Sequence, residues 1–201
     1  MRKTTCLLAA AILAAVPAMA GAAEDREGLY GLAGLQRYQF EDKGEKSGAA
    51  KRDAWKGNAS GISIGGGVRL SPNLAVEGGY RGTPRGVKRA GVGSYSTQTV
   101  DASVLAIAPL GSRVEVFARA GAGYVRNSLK PVSKQGGVGT QRDSMLVARL
   151  GLGGDVHLTD KTFIRAEVSA LRPRKTSGNT VFDAKKKWQG EGIGLSIGHR
   201  F

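Results

Sequence analysis

The sequence predicts an all-β fold, an eight-stranded antiparallel up-and-down transmembrane β-barrel, and three observations predict it. The last ten residues alternate: Ile193, Leu195, Ile197, His199 and Phe201 share one parity, while Gly192, Gly194, Ser196, Gly198 and Arg200 share the other. A period of two is that of a strand with one apolar face. Further alternating segments are joined by tight turns at one end and long polar connections at the other. Beyond the N-terminal region no segment approaches the roughly 20 apolar residues of a membrane-spanning helix. A chain of this kind crosses a bilayer with strands, closed so that no backbone group lacks a partner.

The N-terminus reads as an export signal. Arg2 and Lys3 precede an uncharged apolar stretch, Cys6 to Val16, followed by Pro17 and the small residues Ala18 to Ala23 apart from Met19. This run is too short to span a bilayer as a helix, and the pattern is that of a secretory signal peptide. The expected organisation is a signal peptide over residues 1–22, cleaved after Ala20 or as far on as Ala23, and a barrel domain over 23–201. The single cysteine, Cys6, falls in the signal, so the mature chain needs no disulfide and offers no thiolate. The formal net charge is +14, and removing Arg2 and Lys3 leaves +12. In an exported protein such a charge points to anionic lipopolysaccharide or host polyanions, and nucleic acid is not an expected partner.

Taken in order, the strands fall at about 28–41, 59–70, 74–84, 95–109, 113–127, 143–157, 161–172 and 188–201. The tight turns between them are Ser71-Pro72-Asn73, Leu110-Gly111-Ser112 and Thr159-Asp160-Lys161, where Pro, Asn, Gly and Asp supply turn chemistry. Three short turns alternate with long connections near 42–58, 82–94, 128–142 and 173–187, the count that eight strands require. Each strand after a tight turn begins apolar, carries one Glu and ends in an apolar residue followed by Arg: Leu74 to Arg81, Val114 to Arg126, Phe163 to Arg172. The 31 glycines lie largely inside alternating segments, which suits curved sheet better than helix.

Parity assigns the faces. Toward lipid stand Ile62, Ile64, Val68, Leu70, Leu74, Val76, Tyr80, Val100, Val104, Val114, Val116, Tyr124, Leu146, Leu150, Ile164, Val168, Ile193, Leu195 and Ile197. Inward stand Arg69, Glu77, Arg81, Asp101, Glu115, Arg119, Arg149, Asp155, Arg165, Glu167 and Arg200. A soluble barrel would be apolar inside and polar outside. Here charge of both signs collects on the inner parity, where burial demands that it be paired. The expected site is a lumenal ion-pair network, with Arg119 and Arg165 reaching Glu77, Glu115 or Glu167. An eight-stranded barrel has an interior that side chains can fill, so a wide porin channel does not follow.

Four stretches carry a family resemblance: Gly28 to Gly34, Arg69 to Tyr80 across the first turn, Leu158 to Glu167 across the third, and the closing Gly198-His199-Arg200-Phe201. The chain resembles the OmpA-like outer-membrane β-barrel superfamily, with its small OmpX- and opacity-type members, along the whole mature chain. The resemblance implies residence in the outer membrane of a Gram-negative bacterium, with both termini in the periplasm. It also implies a C-terminal signal read by the barrel-assembly machinery, onto which Leu195, Ile197, His199 and Phe201 map. Position 199 is commonly Tyr in the family, so His199 is a departure. No counterpart of the periplasmic peptidoglycan-binding domain of larger members is expected, and that role is not carried over.

No enzyme is expected. A lipid A deacylase needs a Ser nucleophile, a His base and an orienting carboxylate. The mature chain has two histidines: His157 flanks the turn with Thr159 and Asp160, and His199 lies near the same, periplasmic, side. Lipid A occupies the opposite leaflet. No metal or cofactor is expected. The remaining signal is a basic patch in the long connections: Lys51 and Arg52; Arg85, Lys88 and Arg89; Arg174, Lys175, Lys185, Lys186 and Lys187. These readings define an envelope or adhesion protein, expected to be monomeric, whose loops meet lipopolysaccharide or polyanionic glycans. A narrow pore for small solutes is the second reading and a lipid A-modifying enzyme the third.

Overall fold

The computed structural model describes residues 26–42, 46–47, 50–51, 55–83, 87–89, 93–131, 141–173 and 188–201. Eight long strands form the wall: β1 (Gly28–Asp42), β2 (Trp55–Ser71), β3 (Leu74–Gly82), β4 (Gly93–Pro109), β5 (Val114–Pro131), β6 (Gln141–His157), β7 (Thr162–Pro173) and β8 (Trp188–Arg200). Each pairs antiparallel with its neighbours in sequence, and β8 returns to β1. Thirteen register pairs, from Tyr30 with Arg200 to Asp42 with Trp188, close the barrel. Closure leaves no long edge exposed. Two short ladders lie outside the wall: Lys46–Ser47 against Ala50–Lys51, and Val87–Arg89 against the start of β4.

The strand boundaries extend the expected ones at the ends away from the tight turns. β2 begins at Trp55 rather than 59 and β5 runs on to Pro131 rather than 127. Pairing with a neighbour continues there after apolar alternation has given way to polar residues, so hydropathy alone marks the strand too short. β3 instead stops at Gly82, where the Thr83 amide donates to the Thr97 carbonyl at 2.9 Å.

The tight turns fall where their residue types place them. At the first, the Asn73 side-chain amide donates to the Ile107 carbonyl at 2.9 Å and fastens the turn to β4. A bulge at Leu70 shifts the β2–β3 register just before it. In the second, Gly111 has φ of 150°, a conformation that side-chain-bearing residues rarely adopt. The third is tied by Thr159, whose Oγ1 accepts from the Thr162 amide at 3.0 Å.

The outward residues form the apolar belt. Ile64, Val100, Leu150, Ile193 and Leu195 are each at least 55% exposed on the barrel surface. In water such a surface would aggregate; in a bilayer it is solvated by acyl chains. Along β5 the outward run Val114 to Tyr124 is apolar, and Arg126 follows it. Ten residue steps at ~3.3 Å each, on a strand tilted ~40°, give about 25 Å, the height of an outer-membrane hydrocarbon layer.

Candidate functional site

The lumen is filled by side chains arranged in layers. Near the short turns lies a polar group centred on Glu115. Arg69 Nη1 donates to Glu115 Oε2 at 2.8 Å, and Arg26, on the lead-in to β1, donates to Glu115 Oε1 at 2.6 Å. Arg26 also bonds the Ser112 carbonyl in the second turn. Since β1 and β5 stand on opposite walls of an eight-strand ring, Arg26 crosses the mouth as a strut. His157 Nε2 lies 3.2 Å from Glu115 Oε2, and Arg200 Nη2 lies 3.3 Å from His157 Nδ1. His157 therefore sits between the Arg200 guanidinium and the Glu115 carboxylate.

Above this group is an apolar layer: Tyr30, Ala75, Leu105, Ile107, Phe117 and Phe163. Next comes the charged belt. Glu77 takes hydrogen bonds from Arg119, Arg165 and the Tyr30 hydroxyl, the last at 2.6 Å. Arg165 also forks onto Asp155, with Nε to Oδ1 at 2.7 Å and Nη2 to Oδ2 at 2.8 Å. Its guanidinium lies 4.5 Å from the Phe117 ring centre, a cation–π contact. Arg119 lies 3.3 Å from Glu167, Arg149 joins Glu167 to Asp101 at 2.6 Å from the latter, and Arg81 bonds Asp101. A second apolar layer of Tyr38, Ala59, Val125, Met145, Val147 and Leu171 follows, and then the buried Thr97–Asn127 hydrogen bond.

Every inward charge named from parity is on the lumenal side, and all but Arg81 and Glu167 fall among the buried residues. Arg119 and Arg165 meet on Glu77. Glu115 pairs with Arg69 and Arg26 instead, one layer lower. Arg200 has no carboxylate partner among the described residues and bonds His157 and the Asp160 carbonyl. The charged belt borders a cavity of about 30 Å³, into which no ring reaches. The Nε donors of Arg81 and Arg119 are buried there without a protein partner among the described residues, and the space holds about two waters.

Parity had not singled out the two apolar layers, the strut Arg26 or the role of His157. The signal for the layers was present: Leu105, Ile107, Val125, Met145 and Val147 share the inward parity of the charges. Four lumenal Tyr and Phe residues repeat one device. Each lies over a glycine paired with it in register: Tyr30 over Gly67, Tyr38 over Gly192, Phe117 over Gly153, Phe163 over Gly198. A β-carbon on any of these glycines would collide with the ring or hydroxyl above it. Gly provides the space and the aromatic covers the bare backbone.

At the closing strand, Ile193, Leu195 and Ile197 face lipid, His199 stacks edge-on against Phe201 with ring centres 5.8 Å apart, and the Phe201 amide donates to the Leu29 carbonyl at 3.1 Å. Of the basic patch, Lys51 lies in the first short ladder and Lys88 and Arg89 in the second. Arg52, Arg85, Arg174, Lys175, Lys185, Lys186 and Lys187 lie outside the described residues, as does the expected signal peptide.

A closed eight-strand barrel with charge inside and an unbroken apolar belt outside defines a small integral protein of the Gram-negative outer membrane. The sequence agrees: residues 6–201 match the family described as outer membrane protein beta-barrel domain, and the chain belongs to it. No curated protein matches the sequence. Similar solved folds include Neisserial surface protein A (TM-score 0.65, 17% identity, 87% of this chain and 97% of that one). OprG from Pseudomonas aeruginosa is another (0.57, 12%, 91% and 99%). The attachment invasion locus protein Ail of Yersinia pestis has been solved in complex with the heparin analogue sucrose octasulfate (0.54, 15%, 87% and 99%). At these identities the likeness is one of fold.

Proposed function

We propose that this protein is an envelope and surface-adhesion barrel whose lumen is closed to solute flow and whose extracellular loops bind polyanions. The observation that carries the reading is the filled lumen. With two apolar layers and a cross-linked Arg–carboxylate belt between them, the interior is used to hold the wall together. Function then moves to the loops, where Lys51, Arg52, Arg85, Lys88, Arg89, Arg174, Lys175, Lys185, Lys186 and Lys187 concentrate positive charge. Clustered cations recognise phosphate and sulfate groups through charge-assisted hydrogen bonds. The partners of this chemistry are lipopolysaccharide and sulfated host glycans, and the heparin analogue held by Ail is one of that class.

The same reading includes export by a signal peptide over residues 1–22 and insertion as a monomer by the barrel-assembly machinery, with Leu195, Ile197, His199 and Phe201 as its signal. It assigns no catalytic residue. The test has two arms. In planar bilayers the protein gives no steady conductance; a reproducible small channel would favour the narrow-pore reading, for which the cavity beside Arg81 and Arg119 is the support. On a heparin column, Lys-to-Glu changes at Lys185, Lys186 and Lys187 lower the salt needed for elution. Unchanged elution would remove the loop reading.

A further inference from the structure

We propose that the outer wall over β4, β5 and β6 carries a binding site for a phosphorylated lipid of the outer leaflet, with its phosphate held by Arg126 and Arg142. The proposal rests on the reading above for the class of lipid and moves the contact from the loops to the barrel wall.

Register builds the site row by row on the lipid-facing side. Val100, Tyr124 and Leu146 are cross-strand neighbours and form a bulky apolar row, each 47% exposed or more. One step nearer the long connections, Gln98, Arg126 and Ser144 form the next row. Above them stand Ser96, Ser128 and Arg142. Arg126 and Arg142 are exposed; Arg126 faces outward between buried Val125 and Asn127, and Arg142 shares the outward parity of exposed Leu146. They are diagonal neighbours on adjacent strands, about 7–8 Å apart at the backbone, a spacing that lets two guanidiniums grip one phosphate.

Charge makes the case. Neither polar row contains an acidic side chain, and among the described residues no carboxylate pairs with Arg126 or Arg142. On the adjoining wall, outward Arg172 of β7 lies 3.5 Å from Glu191 of β8 and supplies its own. Two arginines at the upper limit of an apolar belt face the depth at which the phosphates of outer-leaflet lipid lie. Below them, Ala102, Ala122 and Ala148 form a row of small residues beneath the bulky one, so acyl chains descending from the headgroup meet a surface without polar groups.

The test uses the full chain purified in detergent and exchanged into nanodiscs, with bound lipid counted by native mass spectrometry. The probes are bis-phosphorylated lipid A and its dephosphorylated form in a phosphatidylcholine background. At about 1 kcal/mol per interfacial arginine, R126Q and R142Q each lower retention of the phosphorylated form roughly fivefold and together roughly twenty-five-fold. Retention of the dephosphorylated form stays within twofold, and R37Q, an outward arginine on β1, leaves both unchanged. The proposal is overturned if the double variant retains phosphorylated lipid as wild type does, if both lipid forms are lost equally, or if R37Q has the same effect. The single variants serve if the double variant fails to show the heat-modifiable gel shift of a folded barrel. The loop reading fails separately, through unchanged heparin elution of the Lys185–Lys187 variant.

Discussion

The two sides of the barrel wall fill the lumen differently. From β3 through β7 many inward residues are long: Glu77, Arg81, Asp101, Glu115, Phe117, Arg119, Arg149, Asp155, Phe163, Arg165 and Glu167. From β8 through β1 to β2 they are mostly short, among them Gly34, Ser63, Gly65, Gly67, Gly192, Gly194, Ser196 and Gly198. One side supplies charge and bulk and the other supplies space. An eight-strand interior is too narrow for long side chains from every wall, so a charged network fits only if part of the circumference is bare. The charged side thus depends on the glycine side for volume, and the glycine side depends on the charged side to exclude lipid and water from its backbone.

The largest expected effect comes from uncoupling the charged side. Glu77→Gln keeps the shape but leaves Arg119 to its longer contact with Glu167 and Arg165 to Asp155 alone. Removing one partner of a buried network costs about 3 kcal/mol. In urea unfolding from lipid vesicles the midpoint should fall well below wild type; an unchanged midpoint would mean the belt contributes no net stability. A smaller effect is expected from filling the bare side. Gly198→Ala drives a methyl into the Phe163 ring, which is wedged between Tyr30 at 6.0 Å and His157 at 5.6 Å. Overpacking of this kind costs ~1–3 kcal/mol, and Gly198→Ala combined with Phe163→Leu should recover part of it. Additive losses in that double-mutant cycle would show that the pair does not act as one unit. The smallest effect belongs outside the lumen. Glu191→Gln breaks an exposed ion pair with Arg172 and should change stability by less than ~1 kcal/mol.

Much of the fold was legible because the wall obeys one rule. A period of two, tight-turn chemistry and alternating loop lengths define eight strands and say which residues face lipid, and the structure has those strands in that order. Strand length was less legible, since β2 and β5 continue by backbone pairing beyond the last apolar alternation. The lumen was legible by residue but not by layer. Parity puts Glu115 and Glu77 on the same face, whereas tilt and register decide that Glu115 meets Arg69 and Glu77 meets Arg119 across the barrel. Arg26 could not be found this way, because it precedes the first alternating residue and acts across the mouth. Outward Arg126 and Arg142 look like loop-flanking charge in the sequence; only their cross-strand rows make them one surface.

The bare side of the barrel has a kinetic consequence. The seam between β1 and β8 joins strands about as far apart in the chain as any two can be, and such pairings form late. On their lumenal faces β8 presents Gly192, Gly194, Ser196 and Gly198, and β1 lays Leu32, Gln36 and Tyr38 against them. An edge so bare can zip to its partner by backbone hydrogen bonds, with the rotamers of one strand alone to resolve across the join. The slow step in forming this molecule is therefore one of search rather than of repacking, and the same seam is where a partly formed barrel can remain ajar at least cost.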